Sequence, residues 1–344
     1  MELTNREWKE FSLTKIFTAI QRGKRLKKDD HIEGNRPYVS STALNNGIDG
    51  FIGNKNGVRD FENCLTIANS GSVGSTFFQP FSVVASDHVT KLENPIFGKY
   101  VYLFLATMTS RVRDKYGFNR EINDQRIKKE KILLPINSQG NPDYDFMESY
   151  MKQKETELLK AYKNHLLTLK PSEKLKSEIE WKEFKIGTVF NISTGALLPK
   201  DLLKKGKTAR LTATDNNNGV FDFYENVKHK NYRVLTNFIS ISFLGSVFYH
   251  PYTASLDMKI HAVQIPNLEL NRYVAEFLVL CFKRMASGFS YGDQLSSTDL
   301  PKKRILLPTN DKGQPDFIYM ENYMKALEYE KLKQYLDYKN LINL

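Results

Sequence analysis

Three groups of residues have types and spacings that could do chemistry. Pro315-Asp316 with Asp337-Tyr338-Lys339 has the content of a metal-dependent nuclease, which pairs a Pro-Asp with an acidic-x-Lys triplet on a neighbouring strand. The triplet here falls in a predicted helix, and 173 residues earlier its places are held by Asn164, His165 and Leu166. Asn141-Pro142-Asp143-Tyr144 is similar to the Asn-Pro-Pro-aromatic turn that holds the base in an amino-methyltransferase, but Asp stands for the second proline and no Gly-x-Gly loop follows an apolar strand. The six histidines form no ligand cluster, and His88 and His261, which share a place in a 173-residue repeat, read as core or turn residues rather than bases. No Walker loop is present.

What remains is binding chemistry. Lys and Arg number 50 against 39 Asp and Glu, a formal charge of +11 that favours a polyanionic partner. Cys64 and Cys281 have no partner at metal-ligand spacing, so a reducing compartment without structural zinc is expected, and the cytoplasm is the expected location. The N-terminal ten residues lack the apolar core of a signal peptide. The longest apolar run, near Tyr273 to Phe282, is about half the ~20 residues of a membrane span, so no membrane association is expected.

The elements that must position these residues occur twice. Trp8-Lys9-Glu10-Phe11 returns as Trp181-Lys182-Glu183-Phe184, and Ile132-Leu133-Leu134-Pro135 returns as Ile305-Leu306-Leu307-Pro308, both at an offset of 173. Each Leu-Pro strand runs through a Gly-x-Pro-Asp turn, at 140 to 143 and 313 to 316, into a long helical run. Between these markers, Tyr38 to Thr42 and Leu211 to Thr214 read as strands followed by Asn-Gly turns at 45 to 47 and 216 to 219. Gly71-Ser72-Val73-Gly74-Ser75 and Gly245-Ser246 read as tight turns, open to two uses: backbone amides facing an anion, or a hairpin that needs positive φ. Aligning these turns takes an offset of 171, which implies two residues inserted before His261. Apolar helical runs follow at Tyr100 to Met108 and Tyr273 to Met285.

The helices at the end of each copy are predicted over 145–170 and 318–344, with stripes that include Tyr150, Leu158, Tyr162 and Leu166 in one and Tyr323, Leu332, Tyr335 and Ile342 in the other. The expected architecture is α/β (α+β): two repeated domains with mixed β-sheets, at 1–144 and 179–317, and helices over 145–178 and 318–344 that pack on one another as an antiparallel coiled coil.

This layout resembles the DNA-specificity (S) subunits of multisubunit restriction-modification systems, type I or BcgI-like type IIB, over essentially the whole chain. The Trp-Lys-Glu-Phe opening, the Asn-Asn-Gly turn and the Gly-Ser-Val-Gly loop carry the likeness to the compact type IIB subunits. The resemblance implies a chain without catalysis of its own, in which each domain is a target recognition domain for half of a bipartite double-stranded DNA site. The helices would fix the separation and dock methyltransferase and endonuclease subunits, with S-adenosylmethionine and Mg2+ expected in those partners and no cofactor in this chain. Helices of ~25 residues span roughly 37 Å, close to the ~34 Å of one duplex turn.

Loop position and residue type then nominate DNA contacts. In the first copy these are Arg22, Lys24, Arg25, Asn69, Ser72, Ser75, Lys115, Tyr116 and Arg120, beside Asn119. In the second they are Lys200, Lys204, Lys205, Asn216, Asn217, Ser246, Tyr249 and Tyr291. Two other classes stay open: a protein-interaction module that acts as a decoy for the restriction complex, and the nuclease of Asp316, Asp337 and Lys339. Basic charge argues against a mimic of DNA, though not against a decoy.

Overall fold

The computed structural model describes residues 2–117, 120–169 and 179–339. The chain divides into two compact units, Met1–Ala161 and Tyr162–Leu344. Unit 1 contains β1 (Trp8–Ser12), α1 (Leu13–Ile16), β2 (Ala19–Arg22), β3 (Glu33–Val39), β4 (Ile48–Ile52), β5 (Asp60–Phe61), β6 (Cys64–Ala68), β7 (Thr76–Gln79), β8 (Val83–Ala85), β9 (Val89–Glu93), α2 (Lys99–Ser110), α3 (Asp124–Lys129), β10 (Lys131–Pro135) and most of α4 (Tyr144–Thr168). Unit 2 contains β11 (Trp181–Lys185), α5 (Ile186–Val189), β12 (Asn191–Thr194), β13 (Lys205–Leu211), β14 (Val220–Tyr224), β15 (Val234–Ser242), β16 (Val247–Leu256), β17 (Ile260–Gln264), α6 (Arg272–Ala286), β18 (Arg304–Pro308) and α7 (Phe317–Tyr338).

The repeated sequence segments form the same frame in each unit. β1 pairs antiparallel with β10, Trp8 opposite Pro135 and Phe11 opposite Ile132. β11 pairs with β18 in the identical register, Trp181 opposite Pro308 and Phe184 opposite Ile305. Trp8 stacks on Phe104 at 6.3 Å and Trp181 on Phe277 at 6.1 Å. The period of two buries Ile132 and Leu134 while Leu133 faces outward, and likewise Ile305 and Leu307 while Leu306 faces outward. Past each Leu-Pro strand the turn closes on asparagine: the Asn137 side chain accepts from the Gln139 and Asn141 amides, and that of Asn310 from the Lys312 and Gln314 amides. Asp143 then accepts from the Phe146 amide at 3.0 Å and Asp316 from the Tyr319 amide at 2.8 Å, capping α4 and α7.

In unit 1 the main core lies between α2 and the sheet ordered β2-β9-β6-β7, and a second sheet is ordered β4-β3-β8-β5. In unit 2 the equivalent strands make one sheet ordered β12-β17-β15-β16-β13-β14, with α6 against it. None of the described helices is long and apolar enough to cross a membrane.

Several sequence expectations need correction. The strands before the Asn-Gly turns lie upstream of their predicted positions, ending at Val39 and Leu211, because the residues after them already enter the turn. The described helices run Tyr144–Thr168 and Phe317–Tyr338; Lys170 and Ile342 fall outside the described residues. Tyr150 packs edge-on against Phe104 of α2 and Tyr323 against Phe277 of α6, each inside its own unit, so neither ring contact joins α4 to α7. Leu158 is exposed and Leu166 and Leu332 are half-buried. Within unit 2 the last turns of α4 do meet α7, running in the opposite direction: Tyr162 packs on Tyr335 at 6.1 Å and His165 Nε2 lies 3.2 Å from Glu328 Oε1.

Asp316 and Asp337 stand at opposite ends of α7, about 30 Å apart at 1.5 Å per residue. They cannot share a metal ion, which removes the nuclease reading. Among the described residues no cluster of three or more His, Cys, Asp or Glu side chains suits a metal.

Candidate nucleic-acid interface

The glycine turns are hairpin turns, joining β6 to β7 and β15 to β16. In unit 1 the amides of Ser72, Gly74 and Ser75 donate to the carbonyls of Ser41, Ala68 and Ser72. In unit 2 the Gly245 amide donates to the Ser242 carbonyl and the Ser246 amide to Ser242 Oγ. These five amides are taken up within the protein. The glycines serve close packing at positive φ: a Cβ on Gly74 (φ +83) would meet Arg113 Cβ at 2.6 Å, and one on Gly245 (φ +92) would meet the Ala286 carbonyl at 2.4 Å. The turn therefore presses onto the chain at the C-terminal end of α2 or α6.

Around the first turn the fold gathers Arg22, Asn69, Ser72 and Ser75 with Ile122, whose amide donates to the Asn69 carbonyl at 2.9 Å. Arg22 is held by Asp124 at 2.9 Å and by the carbonyls of Asp87 and Ile122. Asn69 is 2% exposed and accepts from Thr90 Oγ at 3.0 Å; it is a core amide and not a base reader. Lys115 and Tyr116 both bind the Glu130 carboxylate, at 2.9 and 2.5 Å. Burial, followed by that carboxylate, pushes the Tyr116 phenol up to about 12. Arg120 is exposed, 5.4 Å from the centre of the Tyr116 ring. Lys24 and Arg25, also exposed, make no ion pair among the described residues. Asn119 lies outside the described residues.

In unit 2, a cavity of about 450 Å³ joins Asp215, next to Asn216 and Asn217, with Ser246, Lys283, Ser287 and Phe289. Ser246 Oγ donates to the Asp215 carboxylate. Asn216 and Asn217 are exposed beside it, Asn217 in the left-handed region at φ 48. Tyr291 is 79% exposed and packs edge-on against Phe243. Tyr249 is turned inward: its hydroxyl donates to Asn237 Oδ1 at 2.9 Å, so it is not a base reader. Lys205 is paired with Asp222, whereas Lys200 and Lys204 are exposed without an ion pair among the described residues. Lys205 starts β13 and Leu211 ends it, so these lysines stand roughly 20 Å from the Asn216 end of the strand.

Sequence reasoning missed three lysines at the Gly245 end. Lys259 lies 4.1 Å from the Phe243 ring centre, Lys303 5.1 Å from that of Phe289, and Lys283 5.7 Å from that of Phe248. Their signal is weak in sequence, since each partner is 14 or more residues away.

The two histidines are not equivalent. Gly23 donates to the Val89 carbonyl as Gly195 donates to that of Ile260, so the offset of 171 persists through the strand. His88 then corresponds to Lys259, and His261 to Thr90. The two residues are recovered in the loops before α2 and α6 rather than before the histidine. His261 is buried between Thr194 Oγ at 3.1 Å and the Leu295 carbonyl at 3.2 Å, and burial holds its pKa below the usual imidazole range.

Two copies of one strand frame, each with basic residues exposed at its loop edge, make this a protein of two repeated units. The chain belongs to the family of type I restriction modification DNA specificity domains, whose model matches residues 5–167 and 178–336. It is 28% identical over 340 residues to the specificity subunit of the BcgI type II restriction enzyme from Heyndrickxia coagulans, covering 94% of this chain and 95% of that protein. Among solved structures, the S subunit of a type I restriction-modification system from M. genitalium is 18% identical with a TM-score of 0.44, covering 99% and 94% of the two chains. The HsdS subunit from Thermoanaerobacter tengcongensis is 13% identical with a TM-score of 0.33, covering 96% and 90%.

Proposed function

We propose that this chain is the non-catalytic specificity subunit of a restriction-modification complex and recognises a bipartite double-stranded DNA sequence, one half-site per unit. The observation that carries this reading is the pair of family matches at 5–167 and 178–336, each centred on the same strand frame but bearing different loop residues. Identical frames with unlike edges suit a protein that holds two unlike half-sites. In unit 1 the DNA-facing residues are Lys24, Arg25, Ser72, Ser75 and Arg120. In unit 2 they are Asn216, Asn217, Ser246 and Tyr291, with Lys259, Lys283 and Lys303 added. Lys200 and Lys204 serve phosphates away from the base-reading edge. The recognition domains take residues 1–144 and 179–317, and α4 and α7 act as an antiparallel spacer. Methyltransferase and endonuclease subunits bind this chain, and S-adenosylmethionine and Mg2+ act in those partners.

The test is selection of a random-sequence DNA pool by the chain complexed with its methyltransferase subunit, followed by sequencing. Recovery of a bipartite motif with a fixed spacer supports the reading. A complex that forms but selects no motif overturns it and leaves an interaction module.

A further inference from the structure

We infer that each unit carries a copy of one docking pocket, and that both copies take the same segment of a partner protein: two or three bulky apolar side chains beside a carboxylate. This rests on the proposed function, in which the partner is the methyltransferase subunit. In unit 1 a cavity of about 410 Å³ is lined by Trp8, Phe104, Arg111, Leu133, Tyr150 and Met151. In unit 2 a cavity of about 640 Å³ is lined by Trp181, Phe277, Arg284, Leu306, Tyr323 and Met324. These six pairs match in residue type at an offset of 173, whereas Thr107 and Met108 of the first lining give way to Leu280 and Cys281 in the second.

Folding explains only part of that repetition. The Trp, Phe and Tyr rings close the edge of each core. Leu133 and Leu306 do not: they stand on the outward side of the frame strand, 44% and 47% exposed, where the alternation of the strand asks for a polar residue. Leu280 at the rim of the second pocket is 60% exposed. Contiguous exposed apolar surface of this kind marks an interaction site.

Arg111 and Arg284 add the polar requirement. Both are exposed and neither has an ion pair among the described residues, whereas Arg304 at the same rim is paired with Glu183 at 3.2 Å. A free guanidinium beside an apolar pocket complements a carboxylate on an apolar segment. It does not suit DNA, which needs rows of cations and offers no large apolar group to such a cavity. Nor does it suit a second copy of this chain, because two pockets per chain filled by a different surface of the next would generate open polymers. Two like pockets fit two copies of one partner.

The measurement is native mass spectrometry of the full-length chain co-expressed with the methyltransferase subunit encoded beside it. Wild type binds two methyltransferase copies. Arg111→Glu or Arg284→Glu each leaves one, with affinity at the altered pocket lowered about tenfold or more, and the double variant leaves none. Arg→Lys at either position retains most binding. Leu133→Glu and Leu306→Glu give the same pattern through the apolar half of the pocket. All four positions are exposed, so thermal unfolding stays unchanged and separates lost docking from lost folding. If the charge-reversed and leucine variants still bind two copies, the pocket assignment is overturned while the proposed function stands. If wild type binds no methyltransferase, both fall. Variants that lose DNA but keep the partner also overturn the pocket assignment.

Discussion

Residues 60–85 and 234–256 are the same hairpin built two ways. In unit 2 it is continuous: β15 and β16 run side by side from Val234 opposite Ser255 to Ile241 opposite Val247. In unit 1 it is broken into β5 with β8 and β6 with β7, which lie in two separate sheets. The kink is common to both, for Asn63 (φ 44) and Asn237 (φ 55) occupy matching places. The residues beside the kink differ. Unit 2 has Thr236 opposite Thr253 with their hydroxyls 2.7 Å apart, a β-branched pair that carries the ladder across the bend. Unit 1 has Glu62 and Ser82 there, with no β-branched pair to carry the ladder on. These two differences sit where the outer part of a unit is one sheet or two, while the Trp-bearing frame is unchanged.

The first way to break this comparison is to attack what the units share. Phe104→Ala and Phe277→Ala each remove the ring between the frame tryptophan and the helix tyrosine, and each should cost about 3 to 5 kcal/mol in its own unit. Calorimetry should show a lowered transition of similar size for both variants; a large inequality would mean that the frames are not energetically equivalent.

The next test uses a buried difference. Gln79 in unit 1 donates to Thr66 Oγ at 3.0 Å, and at the matching place in unit 2 His250 contacts Ser240 Oγ at 2.8 Å. Burial pulls the His250 pKa down from 6.5 to about 4, and His261 is lowered as well, where unit 1 has Thr90. The neutral form belongs to the fold, so this stability is present above pH 6.5 and is lost as pH falls toward 4, on the order of 3 kcal/mol for His250. Unit 2 should unfold before unit 1 on acidification, read by hydrogen exchange of β15 against β6. His250→Gln should narrow the gap.

Smaller effects separate the edges. Asn216→Ala should change base preference only in the half-site read by unit 2, by ~1 to 3 kcal/mol at one position, and Arg120→Ala should act only on the other half. Lys200→Ala should weaken binding to all sequences alike and reduce the salt slope by about 1. Both are read by repeating the selection and a salt titration. The smallest expected effect sharpens the opening comparison: Glu62→Thr with Ser82→Thr should stabilise unit 1 by roughly 0.2 to 1 kcal/mol and protect the amides between β5 and β6.

Sequence by itself determined the 173-residue period, the Leu-Pro strands, the Gly-x-Pro-Asp turns and the helical runs that follow them. Each of these depends on residues close in sequence or on an exact repeat of type, so local pattern suffices. Tertiary structure decided the rest. It buried Asn69, tied Lys115 and Tyr116 to Glu130, turned Tyr249 inward, and gave Tyr150 and Tyr323 to their own units. It also parted His88 from His261 by holding the ladder at an offset of 171. The physical reason is that a polar side chain is available to DNA only if no closer partner satisfies it. Those partners, Thr90, Glu130 and Asn237, come into reach only when strands and helices far apart in sequence close on one core.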